Sequence, residues 1–136
     1  MADTIKLEIV TPKGTVYSDD VDIVTLPGVE GQMGVLPHHA RLMTQLVPGE
    51  LIVRKGGQTT LLAVGEGLVE VTGKCVVIAT DMAVSHQNID EAAAEQARQR
   101  AVARLREKVS SEEVASVNAS LARSLAQLHV KRRHRS

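Results

Sequence analysis

The chain has 136 residues, of which 43% are apolar, and 16 basic and 16 acidic side chains give it a formal net charge of zero. Tyr17 is its only aromatic residue and Cys75 its only cysteine, which excludes an intrachain disulfide and a four-cysteine zinc site. The neutral charge and the lack of rings on which bases could stack argue against a nucleic-acid partner. Because no signal-peptide pattern and no membrane-length apolar run is visible, we expect an intracellular protein.

Short β-strands are predicted for residues 1–85. Apolar side chains alternate with polar ones from the first strand onward, as in Ile5, Leu7 and Ile9, and all ten glycines and four prolines of the chain lie in this part. The pair Gly56-Gly57 is typical of a two-residue hairpin turn. Strands at such short spacing indicate an antiparallel sandwich or barrel.

Residues 86–136 carry a helical pattern instead. Asn88 with Glu91, and Ser110 with Glu113, each have the spacing of a helix-starting capping box. Apolar residues follow both boxes at intervals of three and four. The sequence therefore predicts two amphipathic helices that form an antiparallel hairpin.

Charge is divided between the two parts of the chain. Residues 1–88 contain six basic and ten acidic side chains, whereas residues 89–136 contain ten basic and six acidic ones. The neutral total therefore hides a formal charge of −4 in the first part and +4 in the second.

The stretch LPGVEGQMGVLPHHA, residues 26–40, has glycines at Gly28, Gly31 and Gly34. A dinucleotide-binding turn requires a different spacing and a following helix, and Pro37 disfavours a helix here. The Gly-Lys-Ser/Thr of a phosphate-binding loop is absent. We therefore expect these glycines to allow sharp bends within a β structure.

The segment LPGVEGQMGVLPHHARLMTQL closely resembles the signature region of the epsilon subunit of bacterial F-type ATP synthases. The stretches IVTPKGTVYSDDVDIVTLPG and GGQTTLLAVGEGLVEVTGKCVVIATD also fit that family, so the resemblance spans essentially the whole chain. It departs at His38, where the family often has glycine, and at Arg41, where it often has proline.

This resemblance implies a ten-stranded β-sandwich in residues 1–85 and a regulatory helical hairpin in residues 86–136. The sandwich would bind the gamma subunit and the c ring in the central stalk, without performing bond chemistry, while the complex also holds the alpha and beta subunits. The extended hairpin would inhibit ATP hydrolysis. The expected location is the cytoplasmic face of the bacterial plasma membrane, which the chain would reach only through the complex.

Two sets of residues are candidate contacts under this resemblance. The gamma and c-ring interface would include Met33, Val35, Leu36 and His38, although Met33 and Leu36 could equally be core residues. Inhibitory contacts with an acidic segment of the beta subunits would come from Arg98, Arg100, Arg104, Arg106, Lys108 and Arg123. The alternative for each basic residue is a solvated helix face.

Some members of the family bind ATP through a motif that resembles I/L-D-x-x-R-A. Ile89 and Asp90 match its start, but Ala93 occupies the arginine position. Because alanine cannot replace a guanidinium as a phosphate ligand, tight ATP binding is not expected, and we predict no cofactor. A weak site would involve Ile89 and Asp90.

An alternative function is a stand-alone β-sandwich binding module with a helical oligomerisation tail. Co-purification with the gamma subunit separates the two functions. No metal site is expected, because the adjacent residues His38 and His39 would point to opposite faces of an extended chain. The sequence shows no activated nucleophile and no acid–base pair, so it does not indicate an enzyme.

Overall fold

The computed structural model describes residues 3–107 and 109–134, and it has a β domain followed by two helices. The strands are β1 (Ile5–Thr11), β2 (Gly14–Val21), β3 (Ile23–Gly28), β4 (Gly31–Val35), β5 (Leu42–Leu46), β6 (Gly49–Lys55), β7 (Gln58–Val64), β8 (Gly67–Val71), β9 (Cys75–Thr80) and β10 (Ala83–Ser85). A 3-10 turn at His86–Asn88 leads to the helices α1 (Glu91–Leu105) and α2 (Ser111–Arg133).

The ten strands form one continuous sheet in the order β10-β7-β6-β3-β5-β8-β9-β1-β2, with β4 paired to β3. All pairs are antiparallel except β1 with β9. Strand β3 joins the two parts of the sheet, because Val24 pairs with Val53 of β6 while Gly28 pairs with Leu46 of β5. The sheet encloses the core as a β-sandwich, which confirms the expected fold class.

The core lies within the sandwich and is aliphatic, as the composition predicts. Ile5, Leu7 and Ile9 are fully buried, and strands β2 to β9 contribute further valine, leucine and isoleucine side chains. Tyr17 and Met33 pack against this core from its margin. No residue of α1 or α2 belongs to it.

Glycines shape two of the hairpins. Gly56 and Gly57 have φ values of 56° and 81° and connect β6 to β7, which confirms the predicted two-residue turn. Gly31, with a φ of 119°, begins β4 directly after the β3–β4 turn. The glycine-rich stretch therefore bends a β-hairpin, as expected, and holds no helix that could receive a phosphate.

The predicted N-terminal cap of α2 is confirmed, whereas the predicted cap of α1 is wrong. Ser110 caps α2 by accepting a hydrogen bond from the Glu113 amide, as expected. At α1 the cap is Asp90, whose carboxylate accepts from the Ala93 amide, whereas Asn88 lies in the preceding 3-10 turn. Asp90 takes the cap position because Asn88 still belongs to the 3-10 turn that precedes α1.

Both helices form the predicted antiparallel hairpin. Arg132 near the end of α2 contacts Glu95 near the start of α1 at 3.4 Å, while Arg104 near the end of α1 contacts Glu113 at the start of α2. In the described part of the chain, neither helix combines the length and apolar character that a membrane crossing requires.

Candidate functional site

Helix α2 lies against the outer face of β6 and β7, so the hairpin is folded onto the sandwich. The contact is a small apolar cluster of Ala63, Ile89, Ala126 and Val130, which we call the docking cluster. Ala63 projects outward from β7 because its neighbours Leu62 and Val64 point into the core. The docking cluster and the core are thus separated by one layer of sheet.

Polar contacts surround the docking cluster. The Arg123 guanidinium donates to the Asp81 carboxylate at 3.0 Å, and the Lys131 ammonium donates to the His86 carbonyl at 3.2 Å. Near the C-terminus of α2, Arg133 donates to Glu50 at 2.7 Å. Charged side chains of α2 therefore meet acceptors of the sandwich and of the 3-10 turn at both ends of the apolar contact.

The structure distributes the predicted basic residues among different environments. Arg98 pairs with Glu95 at 2.6 Å, and this hydrogen bond lowers the pKa of Glu95 to about 2 and raises the pKa of Arg98. Arg104 donates to both Glu113 and Glu107, and these hydrogen bonds to the two carboxylates raise the pKa of Arg104. The Glu95–Arg98 pair lies within α1, whereas Arg104 joins the end of α1 to the connection and to the start of α2.

The remaining basic candidates differ in availability. The Arg123 guanidinium forms an ion pair with the Asp81 carboxylate in this conformation. Arg100 and Arg106 are exposed and make no ion pair with the described part of the chain. Lys108 lies outside the described residues.

The four predicted interface residues also separate by burial. Val35 is fully buried in the core and Met33 is half-buried against it, whereas Leu36 is 54% exposed. His38 is exposed, has a left-handed backbone with a φ of 67°, and lies 2.9 Å from the Asp3 carboxylate. Only Leu36 and His38 present most of their surface to a partner.

A second exposed apolar region was missed by the sequence reasoning. Met43 of β5 is 64% exposed and Leu68 of β8 is 53% exposed. They are diagonal neighbours on the outer face, because Met43 pairs with Glu70 and Gln45 pairs with Leu68. We call Met43 and Leu68 the outer-sheet patch. Sequence reasoning could have found these residues, because each is an apolar residue at an outward position of an alternating strand.

The residues of the possible nucleotide motif have structural contacts. Ile89 is buried in the docking cluster, and the Asp90 carboxylate accepts the Ala93 amide hydrogen at 3.0 Å. The Ala93 side chain is exposed. These contacts anchor the start of α1 and bring no basic side chain to the position of the motif arginine.

Comparison with protein families divides the chain in the same order as its structure. Residues 4–86 match the family model described as ATP synthase, Delta/Epsilon chain, beta-sandwich domain. Residues 87–132 match the one described as ATP synthase, Delta/Epsilon chain, long alpha-helix domain.

Similar proteins match over nearly the full chain. The ATP synthase epsilon chain of Herpetosiphon aurantiacus is 41% identical over 132 residues, covering 97% of each chain. That of Chloroflexus aggregans is 44% identical, covering 96% of this chain and 94% of the relative. A chain in the Euglena gracilis mitochondrial ATP synthase structure aligns with a TM-score of 0.72 and 26% identity, over 88% of this chain and 76% of that one. This chain therefore belongs to the ATP synthase delta/epsilon chain family and is a non-catalytic central-stalk subunit of that enzyme.

Proposed function

We propose that the sandwich attaches this chain to the gamma subunit and the c ring, and that the helical hairpin inhibits ATP hydrolysis when it leaves the sandwich. The observation that carries this proposal is the separation of the core from the docking cluster. Since α2 lies on the outer face of β6 and β7 and contributes no residue to the core, the hairpin can detach while the core stays closed. Two states of similar free energy are what such a switch requires.

The assembly surface that we propose combines Leu36 and His38 with the outer-sheet patch. Neighbouring exposed apolar side chains, as in the outer-sheet patch, are typical of surfaces that a partner covers. Met33 contributes its exposed part, and Val35 supports the surface from the core. Co-purification with the gamma subunit tests the proposal, because a stand-alone binding module would not form that complex.

Substitutions sharpen this test. Leu36→Glu and Met43→Glu each place a charge on the proposed surface and should weaken gamma or c-ring binding at least tenfold, on the order of the 1.4 kcal/mol that corresponds to that factor. Val16→Glu is the matched control, since Val16 is 44% exposed on the distant strand β2. Equal retention of all three variants would contradict the assignment of this surface.

For the inhibitory contacts, we propose that Arg100 and Arg106 act directly, because they have no ion pair to give up within the described residues. Arg98, Arg104 and Arg123 would first exchange their present carboxylates for those of the beta subunits. The role of Lys108 stays a prediction from the sequence. High salt should relieve the inhibition, since exposed ion pairs are screened.

We further propose that the chain binds no ATP tightly. The support is that Asp90 serves as the α1 cap and that Ala93 offers no charge to a phosphate. Calorimetric titration of the full chain with ATP tests this, and a micromolar dissociation constant would contradict it. Assembly into the ATP synthase would hold the chain at the cytoplasmic face of a bacterial plasma membrane.

A further inference from the structure

Glu50, at the start of β6, is a buried acid that faces the end of α2. It is 5% exposed, and it is the only buried acidic residue in the described part of the chain. A carboxylate is costly to remove from water unless cations or hydrogen-bond donors compensate it. The partners of Glu50 therefore contribute directly to keeping α2 on the sandwich.

Arg133, the last residue of α2, and His134, which caps the helix, supply those partners. Arg133 donates to one carboxylate oxygen of Glu50 at 2.7 Å, and the Nε2 atom of His134 contacts the other. The Arg133 guanidinium is charged at every relevant pH, but 55% of its side chain is exposed to screening solvent. The His134 side chain is 29% exposed, so its charge acts on Glu50 with less screening.

The other ionisable groups around His134 add no second acid. The His86 ring, on the 3-10 turn, stands edge-on to the His134 ring with centroids 6.2 Å apart. The Lys131 ammonium is held by the His86 carbonyl. His129 lines, with Glu50 and Arg133, an open groove of about 520 Å³ beside α2. Glu50 is therefore the one described carboxylate that a proton on His134 meets in this arrangement.

His134 is also directly connected to the docking cluster. Its backbone amide donates to the Val130 carbonyl at 3.3 Å, and Val130 is fully buried against the sheet. Loss of the His134 contact would release the last turn of α2 from which Val130 projects. Among unperturbed side chains, histidine is the one whose charge changes between about pH 5 and about pH 8.

We propose that Glu50 and His134 form a pH-dependent latch, in which a proton on His134 holds α2 against the sandwich. The Glu50 carboxylate can stabilise the charged His134 ring only when α2 is docked. The chain therefore takes up a proton when α2 docks. The docked state is therefore stabilised while the His134 ring carries its proton, and it loses that stabilisation when the ring is neutral. This latch concerns the isolated chain and does not depend on the inhibition of hydrolysis.

Thiol protection measures the docking equilibrium. Cys75→Ala removes the native thiol and Ala126→Cys places one in the docking cluster, where Ala126 is 5% exposed. The labelling rate by iodoacetamide is divided by the rate of the denatured chain at the same pH, which corrects for thiol ionisation. We expect the protection of this thiol to fall roughly tenfold between about pH 6 and about pH 8.5.

Variants identify the groups responsible. His134→Gln cannot take up the proton and should make protection independent of pH over this range, as should Glu50→Gln. His129→Gln is the matched control on the same helix and should keep the full dependence. The latch is refuted if the parent thiol variant shows constant protection, or if His134→Gln retains the same pH dependence. The His134 test also stands alone should Glu50→Gln fail to fold.

Discussion

Arg123 of α2 donates a hydrogen bond to Asp81, in the turn between β9 and β10, with a nitrogen–oxygen distance of 3.0 Å. Each side chain is 36% exposed, so the pair contributes only about 0.2–1 kcal/mol to docking. Its significance is that the Arg123 guanidinium cannot serve Asp81 and a distant carboxylate at once. An interaction that holds the hairpin down therefore competes with the proposed inhibitory contact.

Removing one partner of this pair should affect inhibition differently from removing the other. Asp81→Asn frees Arg123 and loosens α2, so the assembled enzyme should hydrolyse ATP more slowly. Arg123→Ala also loosens α2 but removes the guanidinium, so it should hydrolyse faster than Asp81→Asn. Steady-state ATPase assays of both assembled variants test this, and identical rates would exclude a role for Arg123 in inhibition.

Gly65 should influence the same pair through space. A Cβ atom at Gly65 would collide with an Asp81 carboxylate oxygen, whereas one at Gly73 would meet nothing within 4 Å. Because the end of the Asp81 side chain can swing aside, Gly65→Ala should break its pair with Arg123 and leave the sandwich folded. Protection of a thiol at position 126 should fall severalfold in Gly65→Ala and stay unchanged in Gly73→Ala. Equal protection in both would show that the Asp81 position is unimportant for docking.

The adjacent residues Val35 and Leu36 should separate stability from assembly. Val35 is fully buried, so Val35→Ala should lower the free energy of unfolding by roughly 2 kcal/mol. Leu36 is 54% exposed, so Leu36→Ala should change it by less than about 0.5 kcal/mol. Urea denaturation measures both values. A large loss of stability in Leu36→Ala would place its side chain in the packing of the domain.

Acid should break the pair that Glu95 and Arg98 form within α1. The folded-state pKa of Glu95 is about 2, below the ordinary 4.5, because Arg98 stabilises its carboxylate. The stabilisation is therefore present above about pH 4.5 and is lost as pH falls through about 2. Side-chain carbonyl NMR shifts of the full chain measure this titration directly. A midpoint near the ordinary glutamate value would mean that the pair is not held in solution.

The strands and the hairpins were largely predictable because local chemistry determines them. Ile5, Leu7 and Ile9 alternate visibly, and Gly56-Gly57 supplies the backbone conformation that its turn requires. The cap of α1 was misplaced because Asn88 and Asp90 are both good capping residues, and only the 3-10 turn excludes Asn88.

Long-range contacts could not be predicted in the same way. Glu50 and His134 are 84 residues apart, and neither neighbourhood indicates that α2 ends over the start of β6. Similarly, Val35 and Leu36 are adjacent and both apolar, and only the register of β4 decides which of them is buried. Sequence patterns therefore gave the elements, while the docking and assembly surfaces depend on how the elements pack.

Truncation after Ser85 tests the central claim most directly, because it removes both helices and leaves the core of the sandwich complete. In the assembled ATP synthase, we predict that the truncated chain still supports coupled ATP synthesis while ATP hydrolysis becomes faster than with the full chain. Unchanged hydrolysis would contradict the regulatory role of the hairpin, and loss of coupled synthesis would contradict the assignment of assembly to the sandwich alone.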